Sequence, residues 1–230
     1  MDEMKEAGWL PEGIRRHVGA AYLAEESLGR SGARVFDAGG CFLKIAPRGE
    51  LERAAAMQDY FARKGLGAPL IAFDQDGARD YLLVQTLPGQ NACRWPGEPA
   101  RLAAALGEAI RALHETDARD CPLADVNERW IDAYGKEHGA PFAGDVSILQ
   151  KDALTHGDCC LPNIFFDGGC FAGFIDLGDA GLGDRHVDLS SAVWSLGYNL
   201  RTTRWNERLL DAYGRDAIDA ARLALCDQLR

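Results

Sequence analysis

Short apolar runs set between turn formers fill the first third of the chain, and longer helical patterns fill the rest. "YLAEESL", "ARVFDA" and "CFLKIA" predict three strands, the first two separated by "SLGRSGA" and the second and third joined across "DAGG". Residues 49–64, "GELERAAAMQDYFARK", are rich in helix formers and stop at Gly65 and Gly67. "PLIAFD" and "RDYLLVQTL" form a further hairpin across "QDGA", and "WLPEGIRRHV" (9–18) a short leading helix. The expected N-terminal unit, residues 1–87, is a five-stranded antiparallel sheet carrying one helix between its third and fourth strands.

Residues 88–99, "PGQNACRWPGEP", are dense in Pro and Gly and read as a hinge or linker. Beyond them, over 100–230, Leu102, Leu106, Ile110 and Leu113 recur at helical spacing and demand a packing partner. Residues 124–152 read as helix interrupted by Gly135, Gly139, Pro141 and Gly144. "ALTH", "NIFFD" and "CFAGFID" are short strands, and "HVDLSSAVWSLGYNL", "RWNERLLDAYG" and "DAIDAARLALCDQL" are helices. The fold class is α+β, with a sheet-rich first unit and a mostly helical second unit that carries short hairpins.

Composition narrows the function. With 230 residues, 47% hydrophobic and 26% charged, the chain is an ordinary globular protein. Thirty-five acids against 25 Lys and Arg leave a net charge of -10, which disfavours nucleic acid and anionic membrane and suits a small cationic ligand. "MDEMKEAGWLPEGIRR" lacks the apolar core of a signal peptide, and no run nears the roughly 18 residues that cross a bilayer. Seven scattered Cys form neither a zinc pattern nor a disulfide framework. A cytoplasmic monomer or weak dimer is expected.

The chemistry concentrates in "THGDCCLPNIFFDGGCFAGFIDLGDAG", residues 155–181. Asp158 ends a strand, Asn163 opens the next, and a hairpin through Gly168 and Gly169 returns the chain to Asp176. An amide oxygen and a carboxylate at one end of that hairpin suit Mg²⁺. Asp158 on the preceding loop is placed to take a proton from a hydroxyl. The order His156-Gly157-Asp158 to Asn163, then Asp176-Leu177-Gly178, matches a kinase catalytic loop and metal motif. Such an enzyme needs a strand-borne Lys for the phosphates and an acid on the next helix. Lys44 lies on the third strand, and Glu52 is preferred over its competitor Glu50. The loop through Ser31 and Gly32 offers N–H groups and a hydroxyl to a phosphate.

From about residue 27 onward the chain resembles the aminoglycoside phosphotransferase family, of protein-kinase-like two-lobe fold. The resemblance rests on "SGARVF", "FLKIA", "YLLVQTLPGQ", "IRALHETDARDCP", "LTHGDCCLPNIFF", "GFIDLGDAGLGDRHVDLS" and the final "LCDQL". It implies an N-terminal nucleotide-binding lobe and a C-terminal catalytic and acceptor-binding lobe. ATP and Mg²⁺ are the implied cofactors, with antibiotic inactivation of the 3'-type (kanamycin-like) or 3''-type (streptomycin-like) as the activity. By the same resemblance Asp158 is the base, and Asn163 and Asp176 hold the metal. Lys44, backed by Glu52, meets the α/β-phosphates, with Ser31 and Gly32 over the triphosphate. The backbone of Gln85-Thr86-Leu87 meets adenine, and His156 and Asp188 brace the loop.

Three departures fall on the acceptor side. Asp179 stands where the family often has Arg in "IDLGRxG"; the segment between Cys121 and His156 is short; and "CDQLR" retains only Asp227 of an expected acid pair. Asp179, Asp184 and Asp227 are the acids expected to meet a cationic acceptor, with Glu128, Asp132 and Glu137 as further possibilities. For each of these except Asp227, a solvated helix face is the simpler account. The alternatives are a kinase of the same fold acting on a macrolide, amino sugar or choline-like molecule, and a non-catalytic nucleotide-binding module. A metal-dependent hydrolase would need more ligands than the single His156 supplies.

Overall fold

The computed structural model describes residues 5–6, 9–19, 22–26 and 33–230. The chain forms two compact units, Met1–Leu87 and Pro88–Arg230.

In the first unit, the described strands are β1 (Lys5–Glu6), β2 (Tyr22–Glu26), β3 (Arg34–Asp37), β4 (Cys41–Pro47), β5 (Leu70–Gln75) and β6 (Arg79–Gln85). They pair antiparallel in the order β1-β2-β3-β4-β6-β5. The five expected strands are present, and the two-residue β1 extends the sheet beyond β2, too short for any periodicity to reveal it. The period-2 alternation of β4 divides the core. Leu43 and Ile45 pack with Phe36, Tyr81, Leu83 and Ile14 and Val18 of helix α1 (Glu12–Val18). On the opposite face Ala46 and Leu82 pack with Ala54 and Ala55 of helix α2 (Glu52–Arg63). Each fully buried Leu contributes about 1.5–3 kcal/mol. Lys44 pairs across the ladder with Val35 and Leu82, so it belongs to the α2 face.

Helix α2 has no capping side chain of its own at Leu51. Instead Asp80 of β6, wholly buried, accepts the Leu51 N–H at 2.9 Å. A carboxylate there satisfies an orphan donor and complements the helix dipole.

The second unit contains β7 (Gln90–Asn91), α3 (Pro99–His114), α4 (Val126–His138), β8 (Ala153–Thr155), β9 (Ile164–Asp167) and β10 (Cys170–Phe174). It continues with β11 (Gly181–Gly183), α5 (Arg185–Leu200), α6 (Asn206–Tyr213) and α7 (Ala220–Leu229). Pro99 starts α3 at a position where its missing N–H costs nothing. The expected stripe, Leu102, Leu106, Ile110 and Leu113, is buried. Gly107 admits the α6 backbone: a Cβ there would lie 2.3 Å from the Leu209 carbonyl and 2.8 Å from the Tyr213 nitrogen.

The stretch read as a linker is partly built into this unit. Gln90 and Asn91 pair with Phe166 and Phe165 of β9, and Ala92–Arg94 form a 3-10 turn. Strand β11 pairs with β8, a second short pairing absent from the sequence expectations. Among the described residues, no helix is long and apolar enough to cross a membrane.

Candidate active site

The loop between β8 and β9 is anchored mainly through its backbone groups, which bond to side chains. Asp188, wholly buried on α5, accepts the His156 N–H at 2.7 Å and the Gly157 N–H at 2.9 Å. His114 of α3 reaches the same carboxylate through Nε2 at 3.1 Å, and its Nδ1 meets the Tyr213 hydroxyl at 2.9 Å. Burial pushes the Tyr213 hydroxyl up to about 12, so it stays a neutral partner.

His156 is wholly buried and faces inward. Its Nδ1 accepts the Asp158 N–H at 3.2 Å, so Nε2 carries the hydrogen donated to the Ile175 carbonyl at 2.8 Å. The ring thereby staples the loop bearing Asp158 to the backbone just before Asp176. Gly157 has φ +82°, and a Cβ would sit 2.2 Å from the Asp179 carbonyl, so only glycine fits between these segments.

Asp158 itself is exposed. Asn163 Nδ2 donates to its Oδ2 and to its carbonyl, each at 3.0 Å. With the amide nitrogen committed to Asp158, the Asn163 oxygen is the atom left to meet a cation. The Ile175 N–H donates to the Asn163 carbonyl at 3.0 Å, in register with the Phe174–Ile164 pair, which sets Asp176 beside Asn163 at the open end of the hairpin. Asp176 is exposed, with φ 59° and ψ 59°, a left-handed conformation uncommon outside glycine. Two oxygen ligands of this kind fit Mg²⁺, which takes few protein ligands and completes its shell with water and phosphate.

Two cysteines follow Asp158 directly. Burial, reinforced by the neighbouring Asp158 charge, pushes the Cys160 thiol far up, and burial does the same for Cys159. Neither is a thiolate nucleophile.

In the first unit Lys44 is half-buried on β4. Glu52 is the first residue of α2, whereas Glu50 lies in the preceding turn with its N–H on the Pro47 carbonyl. The Gln75 Nε2 donates to Glu52 Oε1 and to Asp80 Oδ1, both at 2.9 Å, so Glu52 is tied to the buried carboxylate that begins its helix. Of the segment expected to meet adenine, the Gln85 N–H is already donated to the Pro69 carbonyl and the Thr86 N–H to the Gly40 carbonyl, each at 3.0 Å. Leu87 supplies the remaining N–H of the three. Ser31 and Gly32 lie outside the described residues.

The acceptor-side acids separate. Asp184 is corrected: it is wholly buried and caps α5, accepting from the Gln150 N–H at 2.8 Å, the His186 N–H at 3.0 Å and ring at 2.7 Å, and Arg222 Nε at 2.7 Å. Burial would raise its carboxyl, but these donors outweigh it and hold the group well below the ordinary range. Asp184 is a structural anchor with no surface to offer an acceptor. Asp179 is exposed and paired with Arg129 at 2.5 Å. Asp227 is exposed and accepts the Ser190 hydroxyl at 2.6 Å. Glu128 is paired with Lys151 at 2.7 Å, and that hydrogen bond lowers its carboxyl.

Sequence reasoning missed several residues that hold this arrangement. Ser195 Oγ accepts the Leu161 N–H at 3.0 Å, and Trp130 Nε1 donates to the Gly157 carbonyl at 2.8 Å. Arg222 joins Asp184 to Asp152, each at 2.7 Å. None sits in a local motif; each contact spans tens of residues.

Residues 29–226 match the family model described as "Phosphotransferase enzyme family". A probable aminoglycoside 3'-phosphotransferase of Lactococcus lactis is 40% identical over 209 residues, covering 81% of this chain and 80% of the relative. An aminoglycoside 3'-phosphotransferase of Niallia circulans is 29% identical over 246 residues, covering 91% and 92%. Among solved structures, an aminoglycoside-3'-phosphotransferase of type VIII superposes with TM-score 0.68 at 25% identity, over 90% of this chain and 92% of that one. The aminoglycoside phosphotransferase APH(3'')-Id of Streptomyces rimosus, solved with ADP and streptomycin, gives 0.71 at 22% identity, over 94% of each, a likeness of fold. With the protein-kinase-like fold shared and a 40% identical relative matched over four-fifths of its length, the chain belongs to the aminoglycoside phosphotransferase family.

Proposed function

We propose that this protein is a cytoplasmic enzyme that transfers the γ-phosphoryl group of ATP to a hydroxyl of an aminoglycoside. Asp158 takes the proton of that hydroxyl as its oxygen bonds to the γ-phosphorus, and the bond from phosphorus to the β–γ bridging oxygen breaks, releasing ADP. The observation that carries the reading is the exposed Asp158 carboxylate, hydrogen-bonded to Asn163 in a loop whose backbone is anchored on the buried Asp188. Mg²⁺, held by Asn163 and Asp176, supplies charge neutralisation on the phosphates. Lys44 pairs with the nucleotide phosphates, and Glu52 orients Lys44. The carbonyls of Gln85 and Leu87 and the Leu87 N–H serve the adenine. Chemistry of this kind depends on positioning and electrostatics more than on any covalent step.

The similarity to 3'-phosphotransferases, the 40% relative foremost, favours a kanamycin-type acceptor over a streptomycin-type one. Asp179 and Asp227, both exposed, are the acids that face its ammonium groups. The test is ADP release from Mg·ATP offered kanamycin, neomycin, streptomycin, a macrolide or choline. Release with kanamycin or neomycin supports the reading; release with only a macrolide or choline transfers it to another small-molecule kinase, and nucleotide binding without release on any acceptor overturns it.

A further inference from the structure

Gly157 combines the freest backbone in the loop with the position next to Asp158, so something outside the loop has to fix it. The Gly157 carbonyl and the Asp158 N–H belong to one planar peptide group. The N–H end donates to His156 Nδ1 at 3.2 Å, and the carbonyl end accepts from Trp130 Nε1 at 2.8 Å. Gripping a rigid plane at both ends fixes its direction, and with it the bond from which the Asp158 side chain departs.

The donor is itself immobilised. Trp130 packs against the buried cluster of Val126, Val187 and Cys226. One turn earlier, Asn127 Oδ1 accepts the Asp184 N–H at 2.8 Å and Nδ2 donates to the Gln150 carbonyl at 2.9 Å, which roots α4 at the start of α5. Arg129 pairs with Asp179, whose carbonyl is the surface on which Gly157 rests. The Trp130 N–H is therefore held at a fixed point on a rigid helix, spanning 27 residues of sequence to reach the loop.

We propose that Trp130 is a positioning residue for Asp158, its indole N–H setting the peptide plane that aims the base. The inference rests on the phosphotransfer reading above. It places part of the alignment of the base on α4, a helix outside every motif that marks the reaction.

The test replaces only the donor. Trp130→Phe removes the N–H and part of the ring, and 3-benzothienylalanine at position 130 keeps the bicyclic outline with sulfur in place of N–H. With either, kcat falls by about tenfold, while KM for ATP and for the acceptor stays within about twofold, because binding surfaces are untouched and only the attack geometry suffers. Amide hydrogen exchange over residues 155–161 accelerates, reporting release of the Asp158 N–H. An unchanged kcat or an unchanged exchange rate in the benzothienyl protein overturns the proposal, even where Trp130→Phe fails to fold. Should the native enzyme turn over no aminoglycoside, the exchange rate alone decides, and failure of the reaction reading is visible separately in the native protein.

Discussion

Asn163 donates its amide N–H to Asp158 Oδ2 at 3.0 Å, so one side chain both steadies the proposed base and turns its oxygen toward the proposed metal. The two functions separate by substitution. Asn163→Asp sets a second carboxylate against the first, and like charges at that range raise the proton affinity of the pair. The acid limb of the kcat/KM profile then shifts to higher pH, because Asp158 must be unprotonated to accept. Asn163→Ala instead raises the Mg²⁺ concentration for half-maximal turnover. Rates measured against pH and against Mg²⁺ distinguish the two variants.

Asp158→Asn keeps the size and the Asn163 contact and removes the charge. Turnover falls by about 10²–10⁴, the range of a lost general base, with ADP affinity nearly unchanged. Calorimetric ADP titration beside an ADP-release assay checks both halves. Retained turnover removes Asp158 from its assigned role.

Asp184→Asn tests the correction. The neutral amide deprives Arg222 of its buried counter-charge at a cost of about 3 kcal/mol, a drop of about 6–12 °C in melting temperature for a chain this size. The folded carboxyl sits below its unfolded value of about 3.9. Its stabilisation is therefore present above that pH and lost as the pH falls. The gap between native and variant melting temperatures stays constant from pH 7 to about pH 5 and narrows as the pH falls below about 4, and acceptor KM stays constant. A raised KM without a melting change would return Asp184 to the acceptor site.

Gly107→Ala offers a test of helix packing in which two effects oppose. On an exposed helix the change stabilises by about 0.5–1 kcal/mol. At Gly107 the new methyl meets the Leu209 carbonyl, and the strain of moving α6 costs about 1–3 kcal/mol. The melting temperature falls; a rise would show that α6 yields freely.

What the sequence displayed and what it concealed follow a physical line. The α3 stripe and the β4 alternation were legible because burial repeats with the period of the element. Asp158, Asn163 and Asp176 were legible because a hairpin converts fixed spacing into proximity. Gln90 and Asn91 carry no local strand signal because their strand exists only through Phe165 and Phe166, some 75 residues on. Asp184 was misassigned because an acid's spacing does not reveal whether it meets solvent or, as here, Gln150 and Arg222, 34 and 38 residues away. Trp130 lacked any local signal for the same reason.

The left-handed backbone at Asp176 has a consequence for laboratory evolution. A side chain held there costs about 1–2 kcal/mol that glycine would not. Asp176→Gly thus relieves that backbone cost while erasing the proposed metal ligand. A library of this gene screened only for folding would tolerate glycine at that codon, whereas selection on the antibiotic would keep the strained aspartate.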